Sequence, residues 1–255
     1  MKSVRILGVL LLAACVLASP RVLRAEEPAH GHAVTKATAE CPPEEMRSEV
    51  PALTEFHHSI AKLWHEAWPN KQMDVMRTML PDLQAGAAKV AEAKLPGILR
   101  EKQAEWDAGV KQMQAAMADY ATAVAGSDDQ KLLDAAEELH TKFEGLVRVT
   151  RPAIKELDAF HAVLYKLYHY ELPANDRAAI RTSVANLKQP MTALNQAKLP
   201  ERLKAKQKDF EASRKKLSVA LDRLAVTVKS DDDARIKQAV EAMHERYEAL
   251  TAVFK

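Results

Sequence analysis

Leu53-Thr54-Glu55-Phe56-His57 and, a turn further on, Lys62-Leu63-Trp64-His65-Glu66-Ala67-Trp68-Pro69 form the stretch on which the fold turns. Leu53, His57, Ile60, Trp64 and Ala67 recur at steps of three and four residues, the spacing of one face of an α-helix. The same pattern returns 104 residues later as Leu157-x-x-Phe160-His161 and Lys166-Leu167-Tyr168-His169-x-x-x-Pro173. Working outward, residues 53–151 align without a gap onto residues 157–255, with about 30 identities. Ala93-Lys94-Leu95-Pro96 comes back as Ala197-Lys198-Leu199-Pro200, and Glu137-x-x-His140-x-x-x-Glu144 as Glu241-x-x-His244-x-x-x-Glu248. The period is too long for a solenoid unit and matches a small domain.

Within each copy, breaker residues divide four helical segments. Pro51 opens the first, to about Trp68; Pro69 opens the second, to Lys94; Pro96 opens the third, to Gly126. Proline is tolerated at such first-turn positions because its missing N–H has no intrahelical partner there. Ser127-Asp128-Asp129 supplies a cap and negative charge for the fourth, in which Leu132, Ala136, Leu139, Phe143 and Leu146 form the apolar stripe. Pro152, Pro173, Pro200 and Ser230-Asp231-Asp232-Asp233 punctuate the second copy in the same way, and Pro81 and Pro190 predict kinks inside the second helices. The expected architecture is all-α, a tandem duplication of an up-down-up-down four-helix bundle: residues 51–151, then residues 152–255. Composition agrees, because 7 glycines and 5% aromatics beside 47% hydrophobic residues suit helices rather than sheets.

The start of the chain reads as an export signal over residues 1–25. Lys2 and Arg5 precede an apolar run over residues 6–18 that is too short for a permanent membrane span. Leu23-Arg24-Ala25 suits ordinary cleavage, whereas Leu12-Ala13-Ala14-Cys15 resembles a lipobox, which would place a lipid on Cys15. Both exits place the protein in the bacterial periplasm or on the cell envelope, with lipid as the only membrane attachment. The formal charge of +2 becomes −2 without residues 1–25, so no nucleic-acid partner is expected. Residues 26–50, with His30-Gly31-His32 and Cys41-Pro42-Pro43, read as a flexible tail. Cys41 then has no partner in the chain, which excludes a disulfide framework and a cysteine-based zinc site.

Chemistry concentrates in the duplicated histidines. In an up-down-up-down bundle the first and fourth helices are antiparallel neighbours. His57 and His140 each lie eleven residues from the same bundle end, about 16 Å at 1.5 Å per residue. His65 lies about 12 Å further along, near the height of Glu137, and Glu144 leans back towards His140. The expected metal ligands are therefore His57, His65, His140, Glu137 and Glu144, and in the second copy His161, His169, His244, Glu241 and Glu248. Imidazole and carboxylate donors on facing helices suit a divalent transition metal: Zn, Cu, Ni or Fe.

Other readings compete with the metal. The histidines also fit a core role, hydrogen-bonded to Glu144 or a backbone carbonyl, in a metal-free helical scaffold or chaperone. An exported bundle of this size resembles the four-helix-bundle cytochromes in shape alone, which implies haem b held by His57 and His140. The absence of Cys-x-x-Cys-His excludes covalent haem. Glu-x-x-His matches only half of the di-iron carboxylate pattern, since neither copy has a second such motif. Met73, Met76 and Met79 read as core filling, because their counterparts are Arg177, Ile180 and Ser183. Trp64 and Tyr168 read as packing residues that wall the site. No nucleophile motif or phosphate loop occurs, which points away from an enzyme.

Overall fold

The structure is a computed structural model that describes residues 40–254. The signal segment, Cys15 and His30-Gly31-His32 lie outside the described residues. Among the described residues every regular element is helical. The α-helices are α1 (Pro51–Lys62), α2 (Met73–Thr78), α3 (Leu80–Glu92), α4 (Gln103–Ala125) and α5 (Asp129–Thr150). Then come α6 (Lys155–Lys166), α7 (Arg177–Asn186), α8 (Lys188–Gln196), α9 (Gln207–Thr227) and α10 (Asp233–Thr251). None is long and apolar enough to cross a membrane.

In the first repeat α1 packs on α3, α3 on α4, α4 on α5, and α5 back on α1. Phe56, Ile60, Leu83, Met113, Leu139 and Phe143 fill the space between them, together with the buried Met76 and Met79 and the partly buried Met73. In the second repeat α6 packs on α8, α8 and α7 on α9, and α9 on α10. Phe160, Leu164, Leu187, Phe210, Leu221 and Met243 make its separate core.

The two repeats agree to the residue in their irregular features. Each first helix runs on into a π-helical turn, Leu63–Ala67 and Leu167–Glu171. Each π turn is followed by a residue at φ 50°, Lys71 and Asn175. Each has a 3-10 turn before its third helix, Gly97–Lys102 and Glu201–Lys206. Lys102 donates to the carbonyl of Val149 and Lys206 to that of Val253, both at 2.7 Å. Asp128 and Asp232 cap α5 and α10 by accepting backbone N–H bonds.

The boundaries differ from the expected ones at the prolines. Pro69 lies in the turn after the π segment, and α2 begins only at Met73. Pro96 precedes the 3-10 turn, and α4 begins at Gln103. The second helices break ahead of Pro81 and Pro190, at Met79 and Leu187. A proline ring clashes with the carbonyl four residues back, here Arg77 and Asn186, so the helix gives way on the N-terminal side.

Residues 43–46 also depart from the reading of a flexible tail through residue 50. They form a 3-10 turn, Pro43–Met46, that packs on Gly97–Lys102. The Glu45 carboxylate accepts hydrogen bonds from Tyr165 at 2.6 Å, from Arg100 at 3.0 Å and from Tyr170. These partners lie as far as 125 residues away in sequence, so local composition carries no sign of them. A small apolar cluster of Ile98, Leu99 and Tyr165, flanked by Cys41, Met46, Leu95, Ala162 and Tyr170, lies where the repeats meet. Gly97 is required there, since a Cβ would overlap the Glu45 carboxylate and the Tyr165 hydroxyl.

Candidate metal centre

The π turns set the geometry of the site. Trp68 and Leu172 donate their backbone N–H to the carbonyls of Leu63 and Leu167, five residues back, at 2.9 Å each. Eight residues of regular α-helix would rotate His169 about 80° past His161. The wider π turn reduces that rotation and moves His169 towards the face of His161, in keeping with the placement of π-helical turns at functional sites.

Flat aromatic contacts then fix the ring planes. His161 stacks on Tyr247 at 4.7 Å and 14°, and His244 on Tyr168 at 3.9 Å and 10°. The first repeat has the same pairs at the matching positions: His57 on Phe143 at 5.7 Å and 9°, His140 on Trp64 at 4.1 Å and 6°.

Around the second-repeat rings the three histidines converge on a residue of the first repeat. Glu101, in the Gly97–Lys102 turn, places Oε1 at 3.1 Å from His169 Nε2 and at 3.5 Å from His244 Nε2. Its Oε2 is 3.9 Å from His161 Nε2. His161 and His244 are buried, 8% and 7% exposed, and Nε2 of each is buried without a hydrogen-bond partner. Glu101, His169 and His244 offer ligand atoms all within 4.8 Å of one another. In a tetrahedral site with bonds of about 2.0–2.1 Å, neighbouring donors are about 3.3 Å apart. The two distances to Oε1 bracket that value.

Protonation follows from the same contacts. Burial dominates at His161 and pushes its pKa down to about 4; Glu101 opposes this, while His244 and His169 add to it. Its ring is therefore neutral at pH 7, the state that ligates. Burial works to raise Glu101, but the hydrogen bond from His169 and the close approach of the His244 and His161 rings outweigh it and hold the carboxyl well below the usual range. Arg100 Nη1 lies 3.3 Å from His169 Nδ1. An arginine can only donate, so that nitrogen accepts and the His169 proton sits on Nε2, directed at Glu101. His244 Nδ1 lies 3.8 Å from Glu248.

Not every expected ligand reaches this cluster. Glu248 stands behind His244 rather than in the ring of donors, an orientation in which a carboxylate can bias the imidazole tautomer. Glu241 pairs with Lys237 at 3.8 Å. It lines, with Tyr168 and His169, a cleft of about 640 Å³ that opens beside the centre. In the first repeat His57 and His65 are exposed and His140 half-buried. Burial lowers the His140 pKa, with Glu144 opposing it. Glu137 is exposed. No residue stands over these rings as Glu101 stands over the second set among the contacts of the described residues.

Glu101 had escaped the sequence reading because its counterpart is Ala205, so comparison of the repeats passes over it. Cys41 is half-buried beside the junction cluster, its thiol pKa raised chiefly by burial.

Comparison with family models, with curated proteins and with solved structures finds no match for this chain.

Proposed function

We propose that this is an exported protein of two tandem four-helix bundles that holds a divalent transition metal in its second repeat, through His161, His169, His244 and Glu101. The observation that carries the reading is the convergence of three imidazole Nε2 atoms on one carboxylate, two of them buried and unpartnered. Buried polar atoms without partners are uncommon and call for a ligand, an ion or a water. His161 and His244 bring Nε2 to 3.9 and 3.5 Å from the carboxylate without closing a hydrogen bond, and a cation among them would take nitrogen and oxygen alike as ligands. At the second-repeat rings the bare ion is favoured over haem, because Glu101 stands against all three imidazoles.

Glu101, His169 and His244 supply the three donors that lie closest together, and His161, at 3.9 Å from the other carboxylate oxygen, stands as the fourth. The reading is accordingly of a metal-binding or metal-handling protein. The open cleft beside His169 gives the ion a way in. The four-helix rings of each repeat and their agreement at 104-residue spacing support the tandem-bundle part of the proposal. The basic start and short apolar run of residues 1–25 support export.

The test is elemental analysis and an absorption spectrum of the purified protein, followed by zinc titration of wild type and of His244→Ala. One zinc per chain, a colourless protein and a loss of affinity of at least 100-fold in the variant are expected, in line with removal of one ligand. A wild type that binds no added divalent ion, or that carries a haem band, would overturn the proposal.

A further inference from the structure

The donors of this centre come from two different halves of the chain. His161 and His169 follow one another along α6 and its π turn, and His244 stands on α10, all within the second repeat. Glu101 belongs to the Gly97–Lys102 turn of the first. We infer that a divalent ion bound by His161, His169, His244 and Glu101 is the clasp that fixes the first repeat's Gly97–Lys102 turn onto the second repeat. The inference rests on the metal reading above and adds to it what the ion does.

Each repeat closes its own apolar core, so neither core spans the junction. What joins them beside the centre is modest: the buried trio Ile98, Leu99 and Tyr165 with its flanking residues, and the hydrogen bonds of Glu45. Set against this, an ion shared by Glu101 and three histidines is a strong link. Its contribution is present only when the ion is.

The repeat supplies a built-in comparison. The two 3-10 turns share Leu99 and Leu203 and the lysine-to-carbonyl anchors of Lys102 and Lys206. At the other positions they differ, with Gly97, Ile98, Arg100 and Glu101 opposite Glu201, Arg202, Lys204 and Ala205. The Glu201–Lys206 turn lies against α9 and the C-terminal 3-10 turn Ala252–Phe254. The acid is found in the turn that faces a histidine triad, and alanine in the one that lies against its own repeat. The 3-10 turn and its lysine anchor form with alanine at that position, and the contacts of Glu101 are with histidines of the other repeat.

Arg100 links the centre to the same junction. It contacts His169 Nδ1 while also donating to Glu45 and to Tyr165. A metal on Nε2 moves the ring proton to Nδ1, where it faces the guanidinium. The Arg100 contact to His169 is released as the ion enters, and Glu101 becomes the turn's attachment to that ring.

The experiment is hydrogen exchange by mass spectrometry on the full chain, with zinc or with chelator, for wild type and Glu101→Ala, alongside zinc stoichiometry. The expected result is at least tenfold slower exchange in the peptide spanning residues 97–102 when zinc is added to wild type. In Glu101→Ala the three histidines still take up zinc at higher concentration, and the slowing is absent at saturation. Unchanged exchange in zinc-loaded wild type overturns the clasp while leaving the metal site standing. Equal slowing in the zinc-saturated variant overturns it as well. If wild type takes up no zinc, the metal reading fails and the clasp with it. Circular dichroism of the variant guards against misfolding, and Glu101→Gln, which keeps the side-chain volume, repeats the test if alanine unfolds the turn.

Discussion

Acidifying the metal-free protein isolates the burial of His161. Its pKa falls from an ordinary 6.5 to about 4 in the folded chain, chiefly through burial, with Glu101 opposing and the neighbouring His244 and His169 adding to the fall. Between those two values the unfolded chain binds more protons than the folded one, so stability decreases as the pH drops through the window. At pH 7 both states are neutral and the effect is near zero. At pH 5 the unfolded histidine is almost fully charged and the folded one is not, a difference of about 2 kcal/mol, rising to about 3 kcal/mol below pH 4. His161→Phe removes the titration and keeps a flat ring for Tyr247 to stack on. Urea unfolding followed by circular dichroism, with chelator present at pH 7 and pH 5, should show wild type losing about 2 kcal/mol more than the variant. The same loss in both proteins would mean that His161 takes up its proton in the folded state at an ordinary pH, and the burial argument would be refuted.

Gly86→Ala places a methyl group into the ring of Phe56 and should cost about 1–3 kcal/mol by thermal melting. Trp106→Ala empties a side-chain site that is only 2% exposed, for which a loss of about 3–5 kcal/mol in urea unfolding is expected. Ser183→Ala withdraws the hydroxyl that donates to the buried Glu171 at 2.8 Å, at a cost of about 1–3 kcal/mol in the same assay. Asp128→Ala removes the acceptor for the N–H groups of Gln130 and Lys131 and should lower stability by about 1 kcal/mol, with helix content retained at low temperature.

The helices were legible because their information is local. The aspartate caps before α5 and α10 hold in the structure, and so do Leu53, Ile60 and Ala67 as core positions, whereas Phe56 and Leu63 take the buried places that the spacing gave to His57 and Trp64. The π turns were hidden, since widening a helix by one residue over Leu63–Ala67 leaves no mark on composition. The duplicated histidines mark three rings that gather around Glu101 in the second repeat, whereas the acids on the same helices do not join them. Helical spacing says which residues share a face, but a carboxylate that comes across from another element has no spacing to betray it. Glu101 is 60 residues or more from each histidine it meets, and so belongs to the part of the fold that only tertiary contact reveals.

Duplication in tandem explains why two equal histidine sets have unequal surroundings. Two copies joined head to tail meet through unlike surfaces, so the turn of the first covers the rings of the second, and among the described residues no such turn lies over the rings of the first. The ring planes do not depend on that cover. His57 lies flat on Phe143 and His140 flat on Trp64 although the first-repeat set is largely open to solvent, just as His161 lies on Tyr247 and His244 on Tyr168 beneath Glu101. Orientation is thus a property of the helix-one and helix-four seam that each repeat inherited, while burial is a property of the pair. Substitutions that distinguish the repeats follow this division: Tyr165 and Tyr170, which hold Glu45 at the junction, correspond to Ala61 and Glu66 on the open face. A seam that holds its rings in place before any cover arrives would need only a carboxylate from outside to offer the proposed ion its donors, and Glu101 comes within 3.1 Å of His169 and 3.5 Å of His244.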